Sequence, residues 1–394
     1  MRVYVAPCGM GLGHVGRCVP IAQKLKEKGV EILFSTYFEG LEYVEKTGFP
    51  FVEAPAIGVK VKPDGTIDFK QTVVNPGPFI ASFMIVDQIR AEIEAIQGFS
   101  PDVVVSDSRA STLVAAKMLG LPTVCILNQF QVIIPRKRRF LRLSKLADAI
   151  TLTLIGKIWT SSNNVLIPDF PQPYTISAGN LRIPKAYQKK TQLIGPILPV
   201  QPQQLPEKEV LREKLGLDLE KPLIFAPISG PIKERRYLLK LLKEIFRRFP
   251  DKYQVVMSMG YPNSSFNPVK YGNFTVYRWV PNRFEYLKAC DLVVSRAGHG
   301  TLTHSICYGK PMILVPTPSH TEQLNNAQKA VELGTAKIIE QERLTETLLL
   351  KQVEQILNNG RLRERADYIR RQVEKYNGLK TTIEKILEVA EKGN

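Results

Sequence analysis

Apolar positions along the first 130 residues fall into short buried runs separated by longer stretches with helical spacing. Val3–Ala6 reads as a strand, and a helix follows whose apolar side carries Val15, Val19, Ile21, Ala22 and Leu25. Val30–Ser35 and Phe51–Val52 are the next strands, with a helix near Glu39–Lys46 between them. Residues 55–78 are rich in Pro, Gly and polar groups and read as a mobile loop. Phe79–Gln97 returns to helical spacing, Asp102–Ser106 is a strand ending at Asp107, and Pro122–Leu127 follows the helix Ala110–Leu119. Strands alternating with helices through short connections predict a parallel sheet covered on both faces.

Residues 196–206 break the pattern with Pro196, Pro199, Pro202 and Pro206, as an interdomain linker does. The alternation then starts again. Strands are predicted at Leu223–Ile228, Gln254–Ser258, Thr275–Tyr277, Asp291–Ser295 and Met312–Val315, and helices at Tyr237–Phe249 and Leu302–Tyr308. From Leu344 the chain is helical and highly charged. The expected organisation is residues 1–195 as one α/β domain, 196–206 as linker and 207–375 as a second. A final helix, 376–394, is placed to pack back on the first.

Composition adds little to this except through charge. The 394 residues are 44% hydrophobic, and no apolar run reaches the roughly 18 residues of a membrane-spanning helix. The five cysteines lack CxxC spacing, which favours free thiols in a reducing compartment over disulfides or zinc. The net charge is +17, and it is unevenly spread: residues 1–100 sum to −1, whereas residues 101–200 sum to +9. Such a surplus attracts nucleic acid, an anionic membrane or a phosphorylated substrate. Its densest part is Arg136, Lys137, Arg138, Arg139 and Arg142, with Phe140 and other apolar residues interleaved. This reads either as a helix seated in an anionic membrane interface or as a solvated face. Nucleic acid is disfavoured, because no aromatic strand platform accompanies the charge.

Ligands of open parallel sheets bind at the carboxyl ends of the strands. After the first strand stands Gly9-x-Gly11-x-Gly13-His14, which serves either as a tight turn or as a loop admitting an anion to the helix start. Its spacing is not the dinucleotide fingerprint, and the second strand ends in Ser35-Thr36-Tyr37 without the acid a nicotinamide cofactor requires. The four histidines, His14, His299, His304 and His320, all fall at strand-end loops or helix starts. His14 suits a general base, and Asp107 either orients its imidazole or caps the following helix. Metal spacing is absent. In the second half, Arg296-Ala297-Gly298-His299-Gly300-Thr301 opens a helix whose amides and adjacent Arg296 suit a diphosphate.

At these residues the chain resembles a known family. Ser-Arg-Ala-Gly-x-Gly-Thr followed by Gly309-Lys310-Pro311, then Glu322-Gln323-x-x-Asn326-Ala327, is similar to the donor-site signature of GT-B glycosyltransferases. The nearest likeness is to the group holding the peptidoglycan-precursor N-acetylglucosaminyltransferase and the galactolipid synthases. Gly9 to His14 and Ile194-Gly195-Pro196 agree with it. The resemblance implies two Rossmann-like domains facing across a cleft, and inverting, metal-independent transfer from a nucleotide-diphosphate sugar, with UDP expected as carrier and no cofactor. It implies that Ser229, Gly230, His299, Gly300 and Thr301 meet the diphosphate, Val280 the base, and Glu322 and Gln323 the sugar. His14 matches the family's base. His304 stands where the family often has a ribose-binding Glu, which is a departure. The expected acceptor is a lipid or lipid-linked hydroxyl at the inner, cytoplasmic face of the membrane, with the protein held there peripherally. A soluble small-molecule acceptor and an inactive nucleotide-sugar-binding subunit are the alternatives.

Overall fold

The computed structural model describes residues 1–57, 62, 78–129, 155–181, 183–262 and 264–393. The expected loop at 55–78 and the basic segment Arg136, Lys137, Arg138, Arg139, Phe140 and Arg142 lie largely or wholly outside them. The chain divides into two compact units. One comprises Met1–Val61, Ile67–Leu198 and Tyr376–Asn394, and the other Lys62–Thr66 and Pro199–Lys375.

The first unit holds a seven-stranded sheet in the order β3-β2-β1-β4-β5-β6-β7. The strands are β1 (Arg2–Pro7), β2 (Glu31–Thr36), β3 (Phe51–Glu53), β4 (Val103–Asp107), β5 (Thr123–Ile126), β6 (Asn164–Ile167) and β7 (Thr191–Leu193), and every pairing is parallel. Its helices include α1 (Val15–Lys26), α2 (Glu39–Thr47), α3 (Pro78–Phe99) and α4 (Ala110–Met118). β1 from Val3 to Pro7 and the whole of β4 are buried because helices cover both faces, so Val3–Ala6 and Val103–Val105 run on without polar alternation. The C-terminal helix Gly378–Gly393 covers one face, placing Ile383, Ile386, Val389 and Ala390 in one core with Val3, Val5, Val103 and Val105. Gly378 is required at that joint, since a Cβ there would lie 2.0 Å from the Gly195 carbonyl oxygen.

The second unit repeats the plan with the order β10-β11-β9-β8-β12-β13-β14. These are β8 (Leu223–Pro227), β9 (Gln254–Ser258), β10 (Val269–Tyr271), β11 (Phe274–Tyr277), β12 (Leu292–Ser295), β13 (Met312–Leu314) and β14 (Ala336–Ile338). Only β10 runs antiparallel, pairing with β11 at the sheet edge. The helices used below are α5 (Lys208–Lys214), α6 (Ile232–Phe246), α7 (Arg283–Ala289), α8 (His299–Cys307) and α9 (Thr321–Glu332). α6 begins five residues before the expected Tyr237, because Pro231 sets the chain for a helix and Glu234 and Arg235 are buried in the first turn rather than solvated. α8 likewise starts at His299 rather than Leu302.

In each sheet the strand order reverses beside the first strand: between β1 and β4 in one unit, between β8 and β12 in the other. Loops leaving such a pair diverge to opposite faces and open a crevice at the carboxyl edge. Pro7 pairs with Asp107 in register, which brings the glycine loop and Asp107 to the same place.

Candidate active site

The three loop glycines have different physical reasons. Gly9 is demanded by packing: a Cβ there would sit 1.8 Å from the Tyr37 carbonyl oxygen, and the Gly40 amide donates to the Gly9 carbonyl at 3.1 Å. Gly11 has φ +70° and donates its N–H to the Glu39 carboxylate at 3.3 Å. Gly13 has open space around it. The expected use of Gly9 and Gly11 as an anion cradle therefore gives way to a tight, packed turn, with a carboxylate already on the Gly11 amide. What the turn positions is His14.

His14 stands at the N-cap of α1, its side chain 24% exposed. Its Nδ1 lies 2.7 Å from Oδ1 of Asp107, which is wholly buried at the end of β4. Asp107 does not cap α4, whose N-cap is Arg109. Arg17, one turn along α1 and not singled out from the sequence, grips the same carboxylate through Nε to Oδ2 and Nη2 to Oδ1, both at 2.5 Å. The Ser108 hydroxyl and the Cys18 thiol also donate to it. Burial pushes the Asp107 carboxyl up, but the charges of Arg17 and His14 and their hydrogen bonds outweigh it and leave it at about 2. A carboxylate so held can accept an Nδ1–H from His14, which would leave Nε2 to take a proton. Beneath the loop, Arg109 donates to Glu92 at 2.5 Å and to the Ser35 carbonyl at 2.7 Å, tying the ends of β2 and β4 to α3.

In the second unit the loop after β8 carries Ser229 and Gly230, the latter at φ +111°. Arg296, directly after β12, is buried beside it, and a Cβ on Gly230 would lie 3.7 Å from Arg296 Nη1. Arg296 donates Nη2 to the Glu234 carbonyl at 2.7 Å, whereas its Nε and Nη1 have no hydrogen-bond partner. Burial pushes this guanidinium down to about 10, with Glu234 pulling the other way and Arg235 adding to the fall. Arg235 donates to the carbonyls of Gly230 and Gly260, which fixes the loop. Gly298 is the N-cap of α8 and gives no side-chain cap, so the first-turn amides at Gly300 and Thr301 face outward from the helix end. His299 is buried, and Val280 is buried with its N–H on the Ser258 hydroxyl at 3.3 Å.

His320 caps α9, its Nδ1 accepting the Gln323 N–H at 3.4 Å. Arg283 donates to His304 Nδ1 at 3.4 Å, and the ring packs 5.5 Å from Phe284. Gln323 Oε1 accepts from the Thr317 N–H and hydroxyl at 2.9 and 3.0 Å, which identifies that atom as oxygen and commits it. Glu322 is half-buried in the first turn of α9. Asn326 donates to the Ala297 carbonyl at 3.3 Å, and its buried Oδ1 has no hydrogen-bond partner. Arg17, Glu234 and Arg235 are the side chains that sequence reasoning missed. Each is a charge on a helix, and its buried partner is invisible until the strands are paired. Among the described residues no helix is long and apolar enough to cross a membrane.

Residues 233–382 match the glycosyltransferase family 28 C-terminal domain. Over 392 residues the chain is 27% identical to an uncharacterized glycosyltransferase of Methanosarcina mazei, covering 98% of this chain and 97% of that one. The chain is a GT-B glycosyltransferase. The glycosyltransferase is also 25% identical over 382 residues, 91% of each chain, to a Desulforamulus reducens protein. That relative is named UDP-N-acetylglucosamine–N-acetylmuramyl-(pentapeptide) pyrophosphoryl-undecaprenol N-acetylglucosamine transferase. The crystal structure of the calicheamicin glycosyltransferase CalG4 shares its fold with a TM-score of 0.66 at 16% identity, over 99% of this chain and 98% of that one. The two parallel sheets with helices on both faces are thus those of the GT-B enzymes.

Proposed function

We propose that this glycosyltransferase moves a sugar from a nucleotide-diphosphate sugar to a hydroxyl of a lipid or lipid-linked acceptor at the cytoplasmic membrane surface, inverting the anomeric carbon. His14 Nε2 takes the acceptor hydroxyl proton while that oxygen bonds to the anomeric carbon and the bond to the leaving phosphate breaks. The departing diphosphate meets Arg296 and the Gly300 and Thr301 amides, charge and dipoles already in place. The reading invokes no metal and no cofactor. The observation that carries it is Arg296, a buried cation beside Gly230 whose Nε and Nη1 have no hydrogen-bond partner, the Glu234 carboxylate standing 3.8 Å from Nη1. Burying such donors is costly unless a ligand satisfies them. UDP is the first carrier to test, on the likeness to the Desulforamulus reducens transferase. Glu322 and the amide NH₂ of Gln323 are assigned to the sugar, Ser229 to the diphosphate and Val280 to the base.

The lipid acceptor has its own support. Gln88 of α3 donates to the Pro55 carbonyl just past β3, which sets Gln88 level with the carboxyl edge of the sheet. Helix α3 begins at Pro78, about 15 Å of helix before Gln88 at 1.5 Å per residue. On this stretch Phe83, Ile85 and Val86 are 57%, 47% and 60% exposed. Apolar residues at such close spacing point around the helix rather than to one face, as suits an apolar medium.

Calorimetric titration with UDP, GDP, ADP and dTDP side by side tests the donor half. Selective binding of one, weakened about tenfold to a hundredfold by Arg296→Gln, is expected. Binding of none overturns the assignment. His14→Ala is expected to abolish transfer and leave nucleotide affinity intact, and a parallel loss of binding removes His14 from the role of base.

A further inference from the structure

Asp107, His14 and Arg17 form a closed triangle: Nδ1 to Oδ1 is 2.7 Å, Arg17 Nη2 to Oδ1 is 2.5 Å, and Nη2 to Nδ1 is 2.9 Å. Three polar atoms this close admit two proton arrangements with opposite consequences. If His14 Nδ1 carries the hydrogen, it donates to Asp107 and Nε2 keeps its lone pair. If Arg17 donates to Nδ1, the hydrogen sits on Nε2 and the ring can accept no proton there. The second arrangement would disable a base.

The geometry selects between them. Arg17 already gives Nε to Oδ2 and Nη2 to Oδ1, the bidentate fork a carboxylate favours. Seen from Nη2, Oδ1 and Nδ1 stand too near each other for its two diverging N–H bonds to reach both. The bond spent on Oδ1 leaves Nδ1 to donate. The same fork has a charge consequence. A lone carboxylate 2.7 Å from the ring would favour the imidazolium strongly, whereas the Arg17 cation beside it opposes that field at almost the same distance.

We propose that Arg17 is a positioning residue: by holding the Asp107 carboxylate it fixes His14 in the Nδ1–H form, and its cation opposes the field of Asp107 at the ring. The inference rests on reading His14 as the base. The groups facing this cluster are Asp107 and Ser108 from the end of β4, Arg17 and Cys18 from α1, Cys8 past β1 and Cys125 from β5, with Glu39 on the neighbouring Gly11 amide. Burial pushes the three thiols up, so none of them carries charge in the neutral range.

The test needs no substrate. In ¹⁵N-labelled full-length protein the imidazole signals report tautomer and protonation, and His14→Asn assigns the His14 pair. Wild type is expected to show the Nδ1–H tautomer at pH 8, and an Nε2–H signal overturns the proposal. In Arg17→Gln, which keeps donors and removes charge, the titration midpoint of His14 is expected to rise relative to wild type. Arg17→Lys is expected to stay nearer wild type. An unmoved midpoint in a folded Arg17→Gln protein overturns the charge argument. If the variant fails to fold, the wild-type tautomer still decides the first half. Should His14→Ala retain transfer while the tautomer is as stated, the base assignment fails and the tautomer finding stands.

Discussion

The Asp107 carboxyl ties the His14 cluster to the stability of the fold. Its folded value, held at about 2, lies below the 3.8 of an unperturbed aspartate, so the unfolded chain binds a proton first as pH falls. The stabilisation is therefore fully present above about pH 4 and is lost as pH drops through about 2, on the order of 2 kcal/mol in all. Urea midpoints measured from pH 7 down to pH 3 should fall, and Asp107→Asn should flatten that part of the curve. The same substitution leaves the buried Arg17 without its counter-charge and should cost about 3–5 kcal/mol at pH 7. A steep acid limb that persists unchanged in Asp107→Asn would assign the effect to other carboxylates. His14 and Asp107 were legible in the sequence because a histidine after a glycine turn and an acid ending a strand are both conspicuous. Arg17 was not, because a cation on an amphipathic helix reads as solvated. Its partner lies 90 positions away and becomes a neighbour only through the pairing of β1 with β4.

At the level of elements, α3 carries the acceptor reading furthest. Its second half packs on the sheet through Ile89, Ile93 and Ile96, while in the first half Ile85 and Val86 are 47% and 60% exposed. Leaving about half of a large apolar side chain exposed forfeits about 1 kcal/mol of possible burial for each, a cost that a membrane or a lipid chain would recover. Ile85→Asp/Val86→Asp should weaken co-sedimentation with vesicles of anionic lipid and spare nucleotide binding. Undiminished sedimentation would shift the membrane contact to the basic segment at 136–145, where neutralising Arg136, Lys137, Arg138 and Arg139 is the companion experiment. The periodicity of α3 was readable, but not which half would be covered, since that depends on where the sheet edge falls. Strand legibility followed length and burial in the same way. Val103–Asp107 and Leu292–Ser295 announce themselves as apolar runs, whereas β7, β10 and β14 are three residues each with Gln192, Lys270 and Lys337 at their centres, so no apolar run marks them. The early start of α6 was hidden because Lys233, Glu234, Arg235 and Arg236 look like a solvated run, yet Glu234 and Arg235 are buried.

At the level of the whole molecule, the chain builds two sheets with separate cores, but the first unit is completed only by the last residues of the chain. Leu379, Ile383, Ile386, Val389 and Ala390 fill one face of its sheet. At about 1.5–3 kcal/mol for each large apolar side chain buried, their loss is comparable to the 5–15 kcal/mol that holds an ordinary domain together. The second unit draws its core from other residues, among them Ile224, Leu238, Val255, Val294 and Ile313. Deleting residues 376–394 should therefore unfold the first unit and leave the second folded. Two measurements separate the outcomes. Tryptophan fluorescence follows Trp159 in the first unit and Trp279 in the second, so each Trp→Phe variant isolates one unit. Titration with UDP reads the donor half alone. The expected result is loss of the Trp159 transition, an intact Trp279 transition and retained nucleotide binding with no transfer. Joint loss of both transitions would mean that the second unit draws its stability from the first. The two sheets would then be one cooperative structure, and the donor site could not be studied apart from the base.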